Sequence, residues 1–207
     1  EKASPRYLLI NSGNANAATG EIGFADATTS TEIVAKHAGV RPEEVLPFST
    51  GIIGERLPTD PIEQVMPNLL NQLAPDNWLM AARAIMTTDT VPKLMSRKVE
   101  IGGEIITLTG MAKGAGMIQP NMATMLCFIA TDARLERDQI KDLLHGASDS
   151  SLNRVTIDSD TSTNDACILL ATGESHLTIR QGSAEESEFR DTLADLMINL
   201  AQALVRD

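Results

Sequence analysis

Apolar residues along the chain fall into short runs and helical stripes, and these set the expected elements. Tyr7-Leu8-Leu9-Ile10 has the length and composition of a buried strand. It leads into Asn11-Ser12-Gly13-Asn14-Ala15-Asn16-Ala17, a small-residue stretch that reads as a loop. A helix ending near Gly39 follows, with Ile33, Val34 and His37 on or near one face. Thr29 and Glu32 have capping-box spacing and predict where it starts. Val45-Leu46-Pro47-Phe48-Ser49 predicts a second short strand, and Thr50-Gly51-Ile52-Ile53-Gly54 a tight, glycine-flanked connection.

Two helices are expected next, over Asp60 to Leu73 and Asn77 to Met86. Pro67 kinks or shortens the first, and Asp76 is the candidate N-cap of the second. Val99-Glu100-Ile101 and Ile105-Ile106-Thr107-Leu108 flank Gly102-Gly103, a hairpin signal, because two glycines permit the positive φ of a two-residue turn. Lys113-Gly114-Ala115-Gly116 reads as a flexible loop and Thr124 to Ala130 as a buried strand. An amphipathic helix is predicted from Glu136 to Ala147, with strands over Arg154 to Ile157 and Ala166 to Ala171. The last helix, Ala184 to Val205, carries Phe189, Leu193, Leu196, Met197, Leu200 and Leu204 as a core stripe. Strands alternating with helices predict sheets covered by helices, an α/β or α+β layered fold.

Composition narrows the function without choosing it. The 207 residues are 43% hydrophobic and 22% charged, enough for a sizeable core; aromatics are only 3%, so that core rests on Leu, Ile, Val, Met and Ala. A net charge of −11 argues against nucleic acid and against anionic membrane surfaces, both of which call for Lys and Arg. Cys127 and Cys167 lie in apolar runs and read as buried free thiols rather than a disulfide framework. No apolar run approaches the roughly 20 residues of a membrane-spanning helix, and no secretory signal pattern is present, so cytoplasm is the expectation. The chain opens at Glu1 without Met, as a fragment would.

Candidate chemistry is sparse. His37, His145 and His176 lack ligand spacing, and the run Asp158-Ser159-Asp160-Thr161-Ser162-Thr163-Asn164-Asp165 lacks the glycine and terminal glutamate of a calcium loop. No metal site is expected, and the run reads as a polar turn with a substrate-shaping role behind it. Lys113-Gly114-Ala115-Gly116 is too short for a phosphate-binding loop, and neither Ser12 nor Ser49 sits in a nucleophile elbow. What is left is a loop-to-strand junction, Gly116 to Leu126, in which a glycine loop and a Pro120-Asn121 turn deliver Thr124 to the start of a strand. Taken alone, Thr124 is an ordinary strand residue.

The segment Lys113-Gly114-Ala115-Gly116-Met117-Ile118-Gln119-Pro120-Asn121-Met122-Ala123-Thr124-Met125-Leu126 closely resembles the self-cleavage segment of the ornithine acetyltransferase (ArgJ) family, whose members also serve as glutamate N-acetyltransferase in arginine biosynthesis. Asn11 to Ala17, Ser49 to Glu55, Thr87-Thr88-Asp89-Thr90 and Asp160 to Asp165 resemble further family blocks, in family order. Ala18 stands where members usually carry Cys, and Ala115 where Ser is common. Members run to roughly twice this length, continuing past Arg206-Asp207 into a glycine-rich segment with an acidic substrate-binding residue. That segment's contacts have no counterpart here.

The resemblance implies a self-processing, threonine-nucleophile fold with sheets between helix layers, similar to the DmpA/ArgJ-like fold. Residues 1–207 would be the main catalytic domain, with 1–123 on the α-chain side of the cleavage and 124–207 on the β-chain side. It implies autoproteolysis between Ala123 and Thr124, Thr124 then being both nucleophile and, through its new α-amine, base. It assigns the oxyanion hole to Thr50 and Gly51, and substrate contacts to Thr90, Lys113 and Thr124. The implied reaction moves acetyl from N-acetylornithine to glutamate without a cofactor, acetyl-CoA being a candidate second donor. The implied assembly is an α2β2 pair of cleaved fragments. Two other readings stay open: a self-processing amidase or aminopeptidase, and a non-cleaving amino-acid-binding homologue.

Overall fold

The computed structural model describes residues 4–116, 125–157 and 162–207. The chain divides into two compact units, Glu1–Thr87 and Thr88–Asp207.

In the first unit, β1 (Tyr7–Asn14) and β2 (Val45–Ile52) pair in parallel, joined by the 19-residue helix α1 (Gly20–Ala38) and a 3-10 turn at Pro42–Glu44. Helices α2 (Thr59–Asn71) and α3 (Trp78–Ala84) follow. A small core of Ile33, Val34, Ala35, Val45 and Met66 is lined by Tyr7, Leu9 and Ile62.

Several expectations shift here. Helix α1 begins nine residues before Thr29, so Thr29 and Glu32 lie inside it rather than at its start. The buried face there is Gly23, Asp26, Ser30, Ile33 and Val34, a helical spacing hidden from an apolar count because its first members are small or polar. Its end is as expected: Gly39 takes the left-handed φ of 68° and its N–H returns to the Ala35 carbonyl. Asn11 to Asn14 and Thr50 to Ile52 are strand rather than loop, because the two small-residue stretches pair with each other. Pro67 is held within α2, and α3 starts after Asn77, not Asp76.

The second unit is a four-stranded sheet in the order β3–β4–β5–β6: β3 (Lys93–Ile101), β4 (Glu104–Lys113), β5 (Leu126–Thr131) and β6 (Ala166–Ala171). The β3–β4 hairpin turns at Gly102-Gly103, whose φ values of 58° and 82° are those a type I′ turn needs. Strands β5 and β6 are parallel and connected through α4 (Arg137–Ser150), a βαβ crossover. Residues 154–157 do not form the expected strand; a 3-10 turn at Leu152–Arg154 ends α4 instead. Cys127 and Cys167 are free and stand side by side across β5 and β6, the first fully buried, the second partly exposed. No helix among the described residues is long and apolar enough to cross a membrane.

Helix α5 (Ala184–Arg206) holds this unit together. Ser183 caps it, its hydroxyl accepting from the Glu186 N–H at 3.2 Å. Phe189, Leu193, Leu196, Met197 and Leu200 are fully buried against β3, β4 and α4. Replacing Leu196 with Ala is expected to cost about 2–5 kcal/mol in denaturant unfolding. The same change at the partly exposed Ile198 on that helix should cost under about 1.5 kcal/mol.

Candidate functional site

The register of the second sheet brings four strand ends into one row. Lys113 closes β4 and pairs with Leu126, which opens β5; Leu126 pairs with Ala166, which opens β6. On the other flank Lys93 opens β3 opposite Ala112. The arrangement follows from connectivity: the α4 crossover makes β5 and β6 start at the same end, and the antiparallel neighbours β4 and β3 finish and start there. The residues just outside the strands, Asp89, Gly114, Met125 and Asp165, are therefore gathered at that end.

They form a buried, charged cluster. The Lys93 side chain is 1% exposed, and its Nζ donates to Asp89 Oδ1 at 2.7 Å and to Asp207 Oδ2 at 2.5 Å. Asp89 Oδ1 also accepts the Gly114 N–H at 2.6 Å, tying the start of β3 to the exit of β4. Lys113 is fully buried beside Asp89 and Asp165; burial lowers its pKa and the two carboxylates oppose that shift. A lone buried ammonium would cost several kcal/mol, and the aspartates offset this. Asp207 resists ionisation through burial, but donors Lys93 and Thr90 outweigh that and bring its carboxyl down to about 2. Thr90 is exposed and binds Asp207 through its N–H, at 3.0 and 3.1 Å, and through its hydroxyl.

Asp165 differs from its neighbours. Its Oδ1 accepts the Met125 N–H at 2.6 Å, while its Oδ2 is buried without a hydrogen-bond partner among the described residues. Burial pushes its carboxyl up to about 6, against the pull of the Met125 N–H and the Lys113 charge.

In the first unit the two small-residue blocks lie side by side: Asn11 pairs with Ser49, Ser12 with Thr50 and Gly13 with Gly51. Ser49 Oγ donates to Asn11 Oδ1 at 2.6 Å, and Asn14 Nδ2 donates to the Glu55 and Arg56 carbonyls at 3.2 and 2.9 Å. Asn11 to Asn14 and Glu55 to Pro58 line a cleft of about 380 Å³ in this unit. Thr50 is buried and Gly51 exposed. Gly51 has a φ of 135°, and a Cβ there would sit 2.2 Å from the Gly13 carbonyl carbon.

Of the residues singled out in the sequence, Thr50 and Gly51 belong to the first unit, and Thr90 and Lys113 to the second. Ala123, Thr124 and the Asp158–Thr161 part of the polar run lie outside the described residues. Sequence reasoning overlooked Lys93. The signal was present: strand period two places it with Met95, Val99 and Ile101, on the face that turns inward. Asp89 had appeared only within a family block, and Asp207 had no signal at all. Among the described residues, no group of three His, Cys, Asp or Glu could hold a metal ion.

Two solved structures share this α/β architecture. The crystal structure of arginine biosynthesis bifunctional protein argJ from Bacillus halodurans is 40% identical, with a TM-score of 0.50 over 56% of this chain and 61% of that one. That of ornithine acetyltransferase complexed with ornithine, from Mycobacterium tuberculosis, is 39% identical, with a TM-score of 0.50 over 55% and 61%. A sequence model of the ArgJ family matches residues 1–207, and the chain belongs to that family. Relatives named arginine biosynthesis bifunctional protein ArgJ are 51% identical in Methylococcus capsulatus, over all of this chain and 51% of its own length, and 49% in Pseudomonas fluorescens, over 98% and 50%. The chain spans about half the length of the curated relatives it matches.

Two stability predictions follow from the geometry. Gly51→Ala meets backbone that cannot yield and should destabilise the first unit by about 3 kcal/mol or more, read from its urea midpoint. Asp165, with a folded pKa of about 6 above its ordinary 3.8, binds more proton in the folded state, so its contribution to stability falls as pH rises between those values. Asp165→Asn keeps an oxygen for Met125 and removes that loss. Allowing for partial exposure, the variant should gain on the order of 1–2 kcal/mol over the parent at pH 7, and less at pH 4, in thermal melts.

Proposed function

We propose that this chain carries the nucleophile-bearing part of an acetyltransferase that moves acetyl from N-acetyl-L-ornithine to L-glutamate in arginine biosynthesis. Thr124 is the nucleophile. Its Oγ attacks the Ala123 carbonyl, the acyl group passes from nitrogen to oxygen, and water hydrolyses the resulting ester. A small residue before the nucleophile leaves that carbonyl accessible. The scission frees an α-amine beside the hydroxyl, and an amine of reference pKa roughly 7.7–8.0 is a competent base near neutral pH. The amine takes the Oγ proton as Thr124 attacks the acetyl carbonyl of N-acetylornithine, then returns it to the departing ornithine. Glutamate collects the acetyl from the acetyl-Thr124 ester by the reverse sequence.

Each tetrahedral intermediate carries an oxyanion. The family block assigns its stabilisation to the Thr50 hydroxyl and the Gly51 N–H, a contribution on the order of 3–4 kcal/mol per donor in comparable sites. Thr90 and Lys113 are the proposed substrate contacts, the Lys113 ammonium meeting a substrate carboxylate. No step calls for a cofactor. Acetyl-CoA is the proposed second donor, supported by the word bifunctional in the relatives' name. The proposed setting is the cytoplasm, with cleaved fragments held together as α2β2.

The single observation that carries this reading is the family match over every residue from 1 to 207, including the segment around Ala123 and Thr124. The ornithine bound in the Mycobacterium tuberculosis structure supports the substrate class. The test is an assay of the full-length protein with N-acetylornithine and glutamate, with and without acetyl-CoA. Transfer is expected, and Thr124→Ala should reduce it by about a thousandfold or more and leave the chain uncut. Transfer surviving in that variant contradicts the reading.

A further inference from the structure

Thr90 is exposed just ahead of β3, yet both of its donors are turned to one carboxylate. Its N–H gives to Asp207 Oδ1 and Oδ2 at 3.0 and 3.1 Å, and its hydroxyl gives to Oδ1. Burial opposes ionisation of Asp207, but donors Lys93 and Thr90 bring its carboxyl down to about 2. An ionised carboxylate only accepts, so the hydroxyl proton lies on the Asp207 side. What the Thr90 side chain presents elsewhere is the lone-pair face of its oxygen.

Helix stability does not call for this carboxylate. Asp207 caps the C-terminal end of α5, where the helix dipole disfavours an anion, and Thr90 is 117 residues away in sequence. Lys93 keeps it in place. The lysine side chain is 1% exposed, and its Nζ donates to Asp207 Oδ2 at 2.5 Å and to Asp89 Oδ1 at 2.7 Å. Asp89 Oδ1 also accepts the Gly114 N–H at 2.6 Å, one residue past Lys113. The backbone at Lys113 and the side chain of Thr90 are therefore both tied to one buried ammonium.

We propose that Asp207, seated by Lys93, is a positioning residue that fixes the Thr90 hydroxyl as an acceptor, so that the substrate group taken there is an N–H. Resting on the reading of Thr90 as a substrate contact, this names the chemistry that contact selects. Both substrates carry such a donor on the α-nitrogen, as the acetamido N–H of N-acetylornithine and as the amine of glutamate. A carboxylate oxygen brought to the same face would meet lone pairs, with the charge of Asp207 behind them. An N–H meets an oxygen made more negative by the bond it donates. Neither Thr90 nor Asp207 gains or loses a proton.

Full-length Asp207→Asn, Thr90→Val and the double variant are compared with the parent in steady-state acetyl transfer, with thermal melts to read folding. In Asp207→Asn the amide oxygen stays with Lys93 and the Thr90 N–H, which sets the NH₂ against the Thr90 hydroxyl and turns its proton outward. KM for N-acetylornithine should rise about tenfold or more, with kcat within about threefold of the parent. Thr90→Val should raise KM comparably. Adding Asp207→Asn to it should then change KM by less than about twofold, because Asp207 acts through that hydroxyl. Losses that multiply in the double variant would mark a structural role and overturn the inference, as would an Asp207→Asn chain that fails to fold or keeps the parent's KM. An unchanged KM in Thr90→Val would instead remove the substrate contact itself, and the inference with it.

Discussion

Two lysine side chains are kept out of water at one end of the second sheet, and the aspartates that compensate them bind its strand ends together. Asp89 spans Lys93 on β3 and the Gly114 amide after β4, while Asp165, before β6, grips the Met125 amide before β5. None of these groups is near another in sequence except Asp89 and Lys93. The sheet register sets them in one row, and loss of Asp89 would leave two buried lysines short of a partner. The apolar side of the unit, α5 against β3 and β4, supplies the rigidity that makes such a cluster tolerable.

The cluster also shows a division of labour. Asp207 takes donors on both oxygens and Asp89 Oδ1 takes two, as structural carboxylates do. Asp165 is engaged on one side only and sits in surroundings that disfavour its charge. A group held at a cost to stability, next to a strand entry already marked out by its sequence, is where chemistry is expected to lie. In the first unit the same principle takes a steric form. Gly51 and Gly13 press backbone on backbone so closely that no side chain fits between them.

Much of this was legible in the chain itself. The Gly102-Gly103 hairpin, the stripe of α5 and the strands near Tyr7 and Val45 follow from periodicity and turn chemistry. The start of α1 was hidden because its buried face opens with Gly23, Asp26 and Ser30, which carry no apolar signal. The small-residue stretches at Asn11 and Thr50 looked like loops because each lacks the side chains of a strand; only their pairing with one another makes them one. Lys93 could have been found by counting strand parity, whereas Asp207 could not, since its partners are more than a hundred residues away. Thr124 owes its assignment to family resemblance, and chemistry explains why a threonine there could work.

The account depends on Thr124 becoming the first residue of a new chain and then carrying acetyl. Mass spectrometry of full-length protein incubated with N-acetylornithine, without glutamate, tests this directly. The account predicts a fragment beginning at Thr124 that gains one acetyl group, bound as an ester on that residue and lost when glutamate is added. An intact chain that turns over substrate, or acetyl carried on any other residue, would contradict it.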